Sequence, residues 1–265
     1  MVHQLLGRLI DRGLQAYAHT SVSSISESRN DRGHWIVHTS SGSINARKVV
    51  FATNGYTSAL LPQYTRKIVP VRGACCHIVA PLGRHSPHLP NTYSLRHSSL
   101  DYDYLIPRAD GSIVVGGARQ AFLGKKDLWF DSLQENQLLP GSEEYFSDYM
   151  QRHFRGWEDS EAKIRQSWSG VMGYTSDFMP HVGELSGSPG QYVIAGFSGH
   201  GMPQILAASQ GLAKIMTGAA PTFEQSGLPL MFETTAERLA IEKSELEESF
   251  KDAWELEDRK LDVNQ

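Results

Sequence analysis

Seven consecutive residues, Gly196-Phe197-Ser198-Gly199-His200-Gly201-Met202, place three small, side-chain-free positions and a histidine where an apolar strand gives way to a helix. Glycines there leave backbone N–H groups uncovered at the positive end of a helix. That geometry suits an electron-rich, partly anionic group lying against the turn. A strand, a glycine turn and a helix also serve as plain architecture, so this segment alone leaves both readings open. Thr53-Asn54-Gly55 closes a second apolar strand, and ligands of layered α/β sheets bind outside such strand ends, although every buried strand must also turn. Tyr93, Arg96, His97, Tyr102 and Tyr104 are either the lining of a pocket or ordinary edge tyrosines and solvent-facing charges. Cys75 and Cys76 are adjacent, which disfavours a bridge and offers no metal-ligand spacing, so two reduced thiols in a strand are expected and no metal site.

These groups need elements to hold them. The helix after Gly201 shows Ile205, Leu206, Leu212, Ile215 and Met216 at helical spacing, with Pro203 in its first turn and Gly218 placed to end it. Lys48 to Thr53 reads as a short strand of the kind buried on both faces, and Tyr192 to Ala195 as a short apolar strand. His34 to Thr39 and Ile44 flank a Ser-Ser-Gly-Ser turn and form a hairpin, preceded by an extended stretch with Val22 and Ile25 inward. Val71 to Ala80 is a long strand, and Tyr102–Pro107 pairs with Ser112–Gly117 across Asp110-Gly111. No helices intervene, so this part is an antiparallel sheet. Residues 119 to 141 read as a surface excursion. Ser142 caps a helix bearing Tyr145, Phe146, Tyr149 and Phe154. At the N-terminus Leu5, Leu6, Leu9 and Ile10 share a helical face, and from Phe232 onward mixed charges predict an exposed terminal helix.

At 265 residues and a net charge of −4 the chain can bury a substantial core, and its charge gives no reason to expect nucleic acid or an anionic membrane as partner. No apolar run approaches the roughly 18 residues of a membrane span, and no signal-peptide region opens the chain. A cytoplasmic protein is the expectation.

Four segments stand in a telling order: Val49 to Tyr56, Tyr104 to Gly117, Gly170 to Gly183 with its Gly-x-x-Gly-Tyr-Thr-x-Asp-x-x-Pro pattern, and Ala195 to Met202. Together, over roughly residues 14 to 218, they resemble the FAD-dependent oxidoreductases of the D-amino-acid oxidase, glycine oxidase and sarcosine oxidase superfamily. The resemblance implies an α/β (α+β) fold. A partial FAD-binding, Rossmann-like domain would comprise residues 1–70 and 165–220, an antiparallel substrate domain 71–164, and a C-terminal tail with a charged helix 221–265. It implies FAD contacts from Thr53, Asn54, Gly55, Gly173, Asp177, Gly196, Ser198, Gly199, His200, Gly201 and Met202. Substrate, a small amine or amino acid, would meet His200, Arg96, Tyr102 and Tyr104, an arginine being suited to a carboxylate through its planar fork. The bend at 196–202 and the Asn54 corner would then enclose a flat cavity.

Two departures qualify this. Relatives cradle the FAD pyrophosphate with a Gly-x-Gly-x-x-Gly turn at the N-terminus, and this chain contains none. A missing N-terminal part is therefore expected, with Val49 and Val50 short of a partner and FAD binding weak or absent unless another polypeptide supplies the turn. Met172 stands where sarcosine-oxidase-like members carry a flavin-anchoring cysteine, and Pro203 where they carry a lysine. The rival to an amine-oxidising flavoenzyme is a non-catalytic remnant or binding subunit that holds no FAD and associates through exposed sheet surface. A nicotinamide-dependent dehydrogenase ranks third, for want of any dinucleotide fingerprint.

Overall fold

The computed structural model describes residues 2–81, 86–98, 101–251 and 254; the rest of the predicted C-terminal tail lies outside them. Helix α1 (Val2–Ile10) carries the apolar stripe that its spacing predicts, yet none of its residues is buried. A meander of β1 (Val22–Ile25), β2 (Trp35–Thr39) and β3 (Gly42–Ala46) follows in that order, antiparallel throughout. Trp35 is its buried anchor, whereas Val22, expected inward, is exposed, and Ile25 is the residue of β1 that packs against a core cluster. Strand β4 (Val49–Phe51) leads into a turn at Asn54–Tyr56 and helix α2 (Thr57–Leu60).

The largest sheet has five strands: β5 (Ile68–Val79), β6 (Tyr93–Arg96), β7 (Tyr102–Pro107), β8 (Ile113–Gly117) and β9 (Lys163–Thr175), in the order β6-β7-β8-β5-β9 and antiparallel at every step. The predicted hairpin across Asp110-Gly111 is present, and β5 begins three residues before the expected start. Cys76, Leu105, Ile113 and Val115 point from one face into the main core. Across from them lie α3 (Lys126–Trp129), α4 (Ser142–Phe146) and α5 (Tyr149–His153).

Three expectations are corrected here. Residues 119 to 141 are no surface excursion: Phe122, Trp129, Phe130 and Leu139 are core residues. Buried Arg72 ties the segment to the sheet by donating to the carbonyls of Leu128 (2.7 Å) and Gln137. The helix starting at Ser142 is broken in two, because Asp148 takes a left-handed conformation (φ 49°). Ser142 also caps nothing, its hydroxyl donating to the Leu139 carbonyl at 2.6 Å. The helical segment beginning at residue 245 is not merely a solvated face, since Leu246 and Phe250 are buried in the main core, Phe250 edge-on to Trp129. A charged pattern hid two apolar positions four apart, which is one helical face.

The third sheet joins β10 (His181–Glu184), β11 (Gln191–Ala195) and β4, with β11 and β4 parallel. Helix α6 (Gly201–Thr217) leaves the end of β11 and stops at Gly218, as expected. Strand β4 is not buried on both faces: Phe51 is buried, but Val50 is exposed. Along α6, Ala208, Gly211 and Leu212 pack inward, while Met202, Ile205 and Leu206 stay exposed. Helix α7 (Ala236–Ala240) completes the chain's course past β10.

Candidate functional site

The structure gathers ten of the eleven residues expected at a cofactor around one corner. Gly55 and Gly173 pack back to back; a Cβ on Gly173 would stand 2.8 Å from the Gly55 nitrogen and 2.7 Å from the Asn54 carboxamide oxygen. That oxygen accepts hydrogen bonds from the amides of Gly196 (3.0 Å) and Phe197 (3.4 Å). The Ser198 amide donates to the Gly173 carbonyl at 2.8 Å, and the Ser198 hydroxyl accepts from the Thr175 amide at 3.2 Å. Thr53 reaches the Thr57 hydroxyl at 2.9 Å. No flat cavity therefore separates the bend from the Asn54 corner: the carboxamide itself closes that side, because buried amides need an acceptor.

Asn54 lies at φ 43°, a region that asparagine tolerates far better than alanine. Asn54→Ala is expected to cost about 1–2 kcal/mol through two orphaned amides and the strained backbone. Asn54→Gly relieves the strain and leaves the amides orphaned. Urea unfolding of both variants separates the two contributions, and wild-type midpoints for both would refute this role.

The outer half of the bend is different. Gly199, His200 and Met202 are exposed, and among the described residues the amides of Gly199, Gly201 and Met202 meet no acceptor. The His200 Nδ1–H donates to the Ser198 carbonyl at 3.0 Å, which fixes its tautomer and leaves Nε2 outward. Tyr174 lies beside the bend; a Cβ on Gly199, itself at φ 80°, would meet the Tyr174 hydroxyl at 2.8 Å.

Asp177 does not join this corner. Its carboxylate is held by the Arg238 guanidinium on α7, at 2.7 and 2.9 Å. The only sign of this in the chain is an Asp and an Arg 61 residues apart, and nothing in composition pairs them.

The expected substrate residues fall on the open face of the five-stranded sheet. Tyr102, Tyr104 and Ile106 alternate outward along β7, and Tyr102 and Tyr104 keep 40% and 38% of their surface exposed. The Arg96 guanidinium lies 5.9 Å from the centre of the Tyr102 ring. Tyr174 connects the two areas. Its phenol is raised above the ordinary range, first by burial and against the pull of the Arg119 charge, and Tyr102 adds to the rise. His97 and Tyr93 leave this face. His97 donates through Nε2 to buried Asp103 at 3.1 Å, and Asp103 also accepts from Tyr145 (2.6 Å) and Tyr149 (2.8 Å) on the core side. Tyr93 packs edge-on against Phe154.

Reading by residue type missed Cys75, Gly116, Trp168 and Tyr174. Cys75 and Cys76 are free thiols, as expected, but alternation sends them to opposite faces. Burial pushes the Cys76 thiol up to about 12, with Cys75 adding to it. The Cys75 thiol reaches the Tyr104 hydroxyl at 3.1 Å and is likewise raised by burial, so neither sulfur is a thiolate nucleophile.

Comparison with known proteins places this arrangement. The family described as FAD dependent oxidoreductase (DAO) matches residues 1–215. A glycine oxidase from Geobacillus kaustophilus (strain HTA426) is 24% identical over 192 residues, 72% of this chain and 45% of that protein. A probable oxidoreductase, OrdL, from Rhizobium meliloti (strain 1021) is 26% identical over 170 residues, 64% of this chain and 36% of that protein. The fold is similar to glycine oxidase from Bacillus cereus ATCC 14579, with a TM-score of 0.60 at 19% identity, covering 78% of this chain and 51% of that one. It is also similar to an L-amino acid deaminase from Proteus vulgaris, with a TM-score of 0.59 at 16% identity, covering 84% and 51%. The chain thus spans about half the length, or less, of these relatives.

Proposed function

The chain belongs to the family of FAD-dependent oxidoreductases, and from that premise we propose that it carries the flavin-edge turn and substrate-side sheet of a flavoprotein that oxidises an amine or amino acid. The observation that carries the reading is the start of α6. Three amides, at Gly199, Gly201 and Met202, meet no acceptor among the described residues, and Gly199 stands beside Tyr174. The residues present fit the ring end of FAD: open amides at a helix N-terminus stabilise negative charge in a bound ring edge. They do not fit its pyrophosphate, for which the chain offers no Gly-x-Gly-x-x-Gly turn.

The chemistry that FAD would supply, when bound, is two-electron oxidation of an amine to an imine. The chain's own residues orient and tune. Asn54 and Ser198 hold the bend by hydrogen bonds on its inner side, which leaves the outer amides aimed at solvent. His200, tied at Nδ1, presents Nε2 to whatever lies there. Arg96 supports a substrate carboxylate from the edge of the sheet, and Tyr102 and Tyr104 supply the surface beneath it. The reading in which the chain is a binding subunit without FAD rests on the missing pyrophosphate cradle.

A titration separates these. The chain is expected to perturb the absorbance and fluorescence of riboflavin and FAD with affinities equal to within about threefold, because the adenylate end finds no seat. A bright yellow protein that prefers FAD by orders of magnitude would show a complete dinucleotide site and refute the ring-end-only reading. Unchanged spectra for both flavins would instead establish the non-flavin alternative.

A further inference from the structure

One row of residues runs across all five strands of the open face: Ser94, Tyr104, Gly116, Cys75 and Trp168, each directly opposite the next. Tyr104 does not stand up from it. A Cβ on Gly116 would lie 2.1 Å from the Tyr104 Cζ and 2.6 Å from its Cε2, so the ring lies down on the bare strand, and its hydroxyl is secured on Cys75 at 3.1 Å. Trp168, 37% exposed, flanks Cys75 on the other side. The neighbouring rows add Ile106, Val114, His77 and Gln166 on one side and Arg96 with Tyr102 on the other. No aspartate or glutamate occupies any of these positions.

We propose that this row is a stacking platform for a substrate with a flat, apolar side group, whose carboxylate points to Arg96. The inference rests on the reading of this face as the substrate side and extends it to a substrate class. A ring laid flat by a glycine notch, beside a half-open indole, offers stacking area to a planar group. A face with an arginine at its margin and no acid favours an anion over a cation of the same shape. A substrate as small as glycine would leave the platform uncovered.

The indole titrations need no bound FAD, so they stay readable whatever the FAD titration gives. In the 15N-labelled chain, the Trp168 indole N–H resonance, identified with Trp168→Phe, is followed while indole-3-acetate, tryptamine, acetate or FMN is added. Indole-3-acetate is expected to shift it and to bind about tenfold more tightly than tryptamine, with acetate without effect. Arg96→Leu should erase the preference between the two indoles. The three atoms nearest to a methyl at Gly116 all belong to the half-exposed Tyr104 side chain, so Gly116→Ala is expected to swing that ring into solvent and leave the fold in place. The other tryptophan resonances should then keep their places while indole-3-acetate weakens about fivefold. Equal binding of tryptamine, an unmoved Trp168 signal, or an indole affinity unchanged by Gly116→Ala would each overturn the proposal. A Trp168 shift stronger with FMN than with indole-3-acetate, and indifferent to Arg96→Leu, would overturn it too, by making the row a seat for the flavin ring.

Discussion

Arg238→Leu is expected to destabilise the chain by about 3–4 kcal/mol, the scale of removing one partner from a largely buried ion pair. Every N–H of this guanidinium is used. Nε and one Nη2 proton go to Asp177 at 2.7 and 2.9 Å, and the other Nη2 proton goes to the Met179 carbonyl. Nη1 reaches the carbonyls of Pro180 (2.9 Å) and Glu233 (3.3 Å). The side chain is only 12% exposed, and Thr235 caps its helix by accepting from the Arg238 amide. Leucine would leave three carbonyls and a carboxylate facing an apolar group. Arg238→Lys should recover only a minor part, because a point charge cannot span the fork. Urea unfolding at neutral pH measures both, and a loss below about 0.5 kcal/mol for the leucine variant would show that the clamp is incidental. Burial would raise the Asp177 carboxyl, but the Arg238 hydrogen bonds and charge outweigh that and hold it below its ordinary 3.8. A depressed carboxyl contributes above its unfolded value and loses that contribution as pH falls through the lower folded value. The clamp is therefore intact at pH 5.

Acid should nonetheless weaken the chain well before that pair titrates, through His181. Its ring is 2% exposed, edge-on to Tyr64 at 5.2 Å, with Nδ1 3.2 Å from the Thr234 hydroxyl. Burial, then the Arg238 charge, then Lys67, push it down from 6.5 to about 3, with Asp177 opposing. Below pH 6.5 the unfolded chain takes up a proton that the folded chain refuses, so stability falls as pH falls, until about pH 3. The slope is at most about 1.4 kcal/mol per unit, or about 2 kcal/mol between pH 7 and 5 and roughly twice that by pH 3.5. His153, lowered by burial and by Arg152, adds a contribution of the same sign. His181→Leu should flatten most of the curve between pH 6.5 and 4. Parallel curves for wild type and variant would rule His181 out as the source.

Both effects lie in contacts that no local pattern announces. Alternation in Tyr102–Ile106, the Asp110-Gly111 turn and the glycine that ends α6 are local facts, and each predicted its element correctly. The corner of Asn54, Gly173 and Gly196 was legible because glycines there reflect real steric limits. What stayed hidden depends on partners distant in the chain. Trp129 is core only because β5 and the last helix meet over it, so its polar surroundings in sequence read as a loop. Asp177 looked free for a ligand because Arg238 read as one more charge on an exposed terminal helix, and nothing local pairs two residues 61 apart. Cys75, Gly116 and Trp168 acquire meaning only from cross-strand register, which composition does not encode.

Trp168 and Tyr174 sit six residues apart on β9, paired to β5 without a bulge between them. The span from the indole to the phenol beside Gly199 is therefore a covalent length of about 20 Å, with no joint along it. Drift in the surrounding loops can alter how often each end is occupied, but it cannot change the pitch between them. One residue inserted in that interval would turn every later side chain over and put the two ends out of phase.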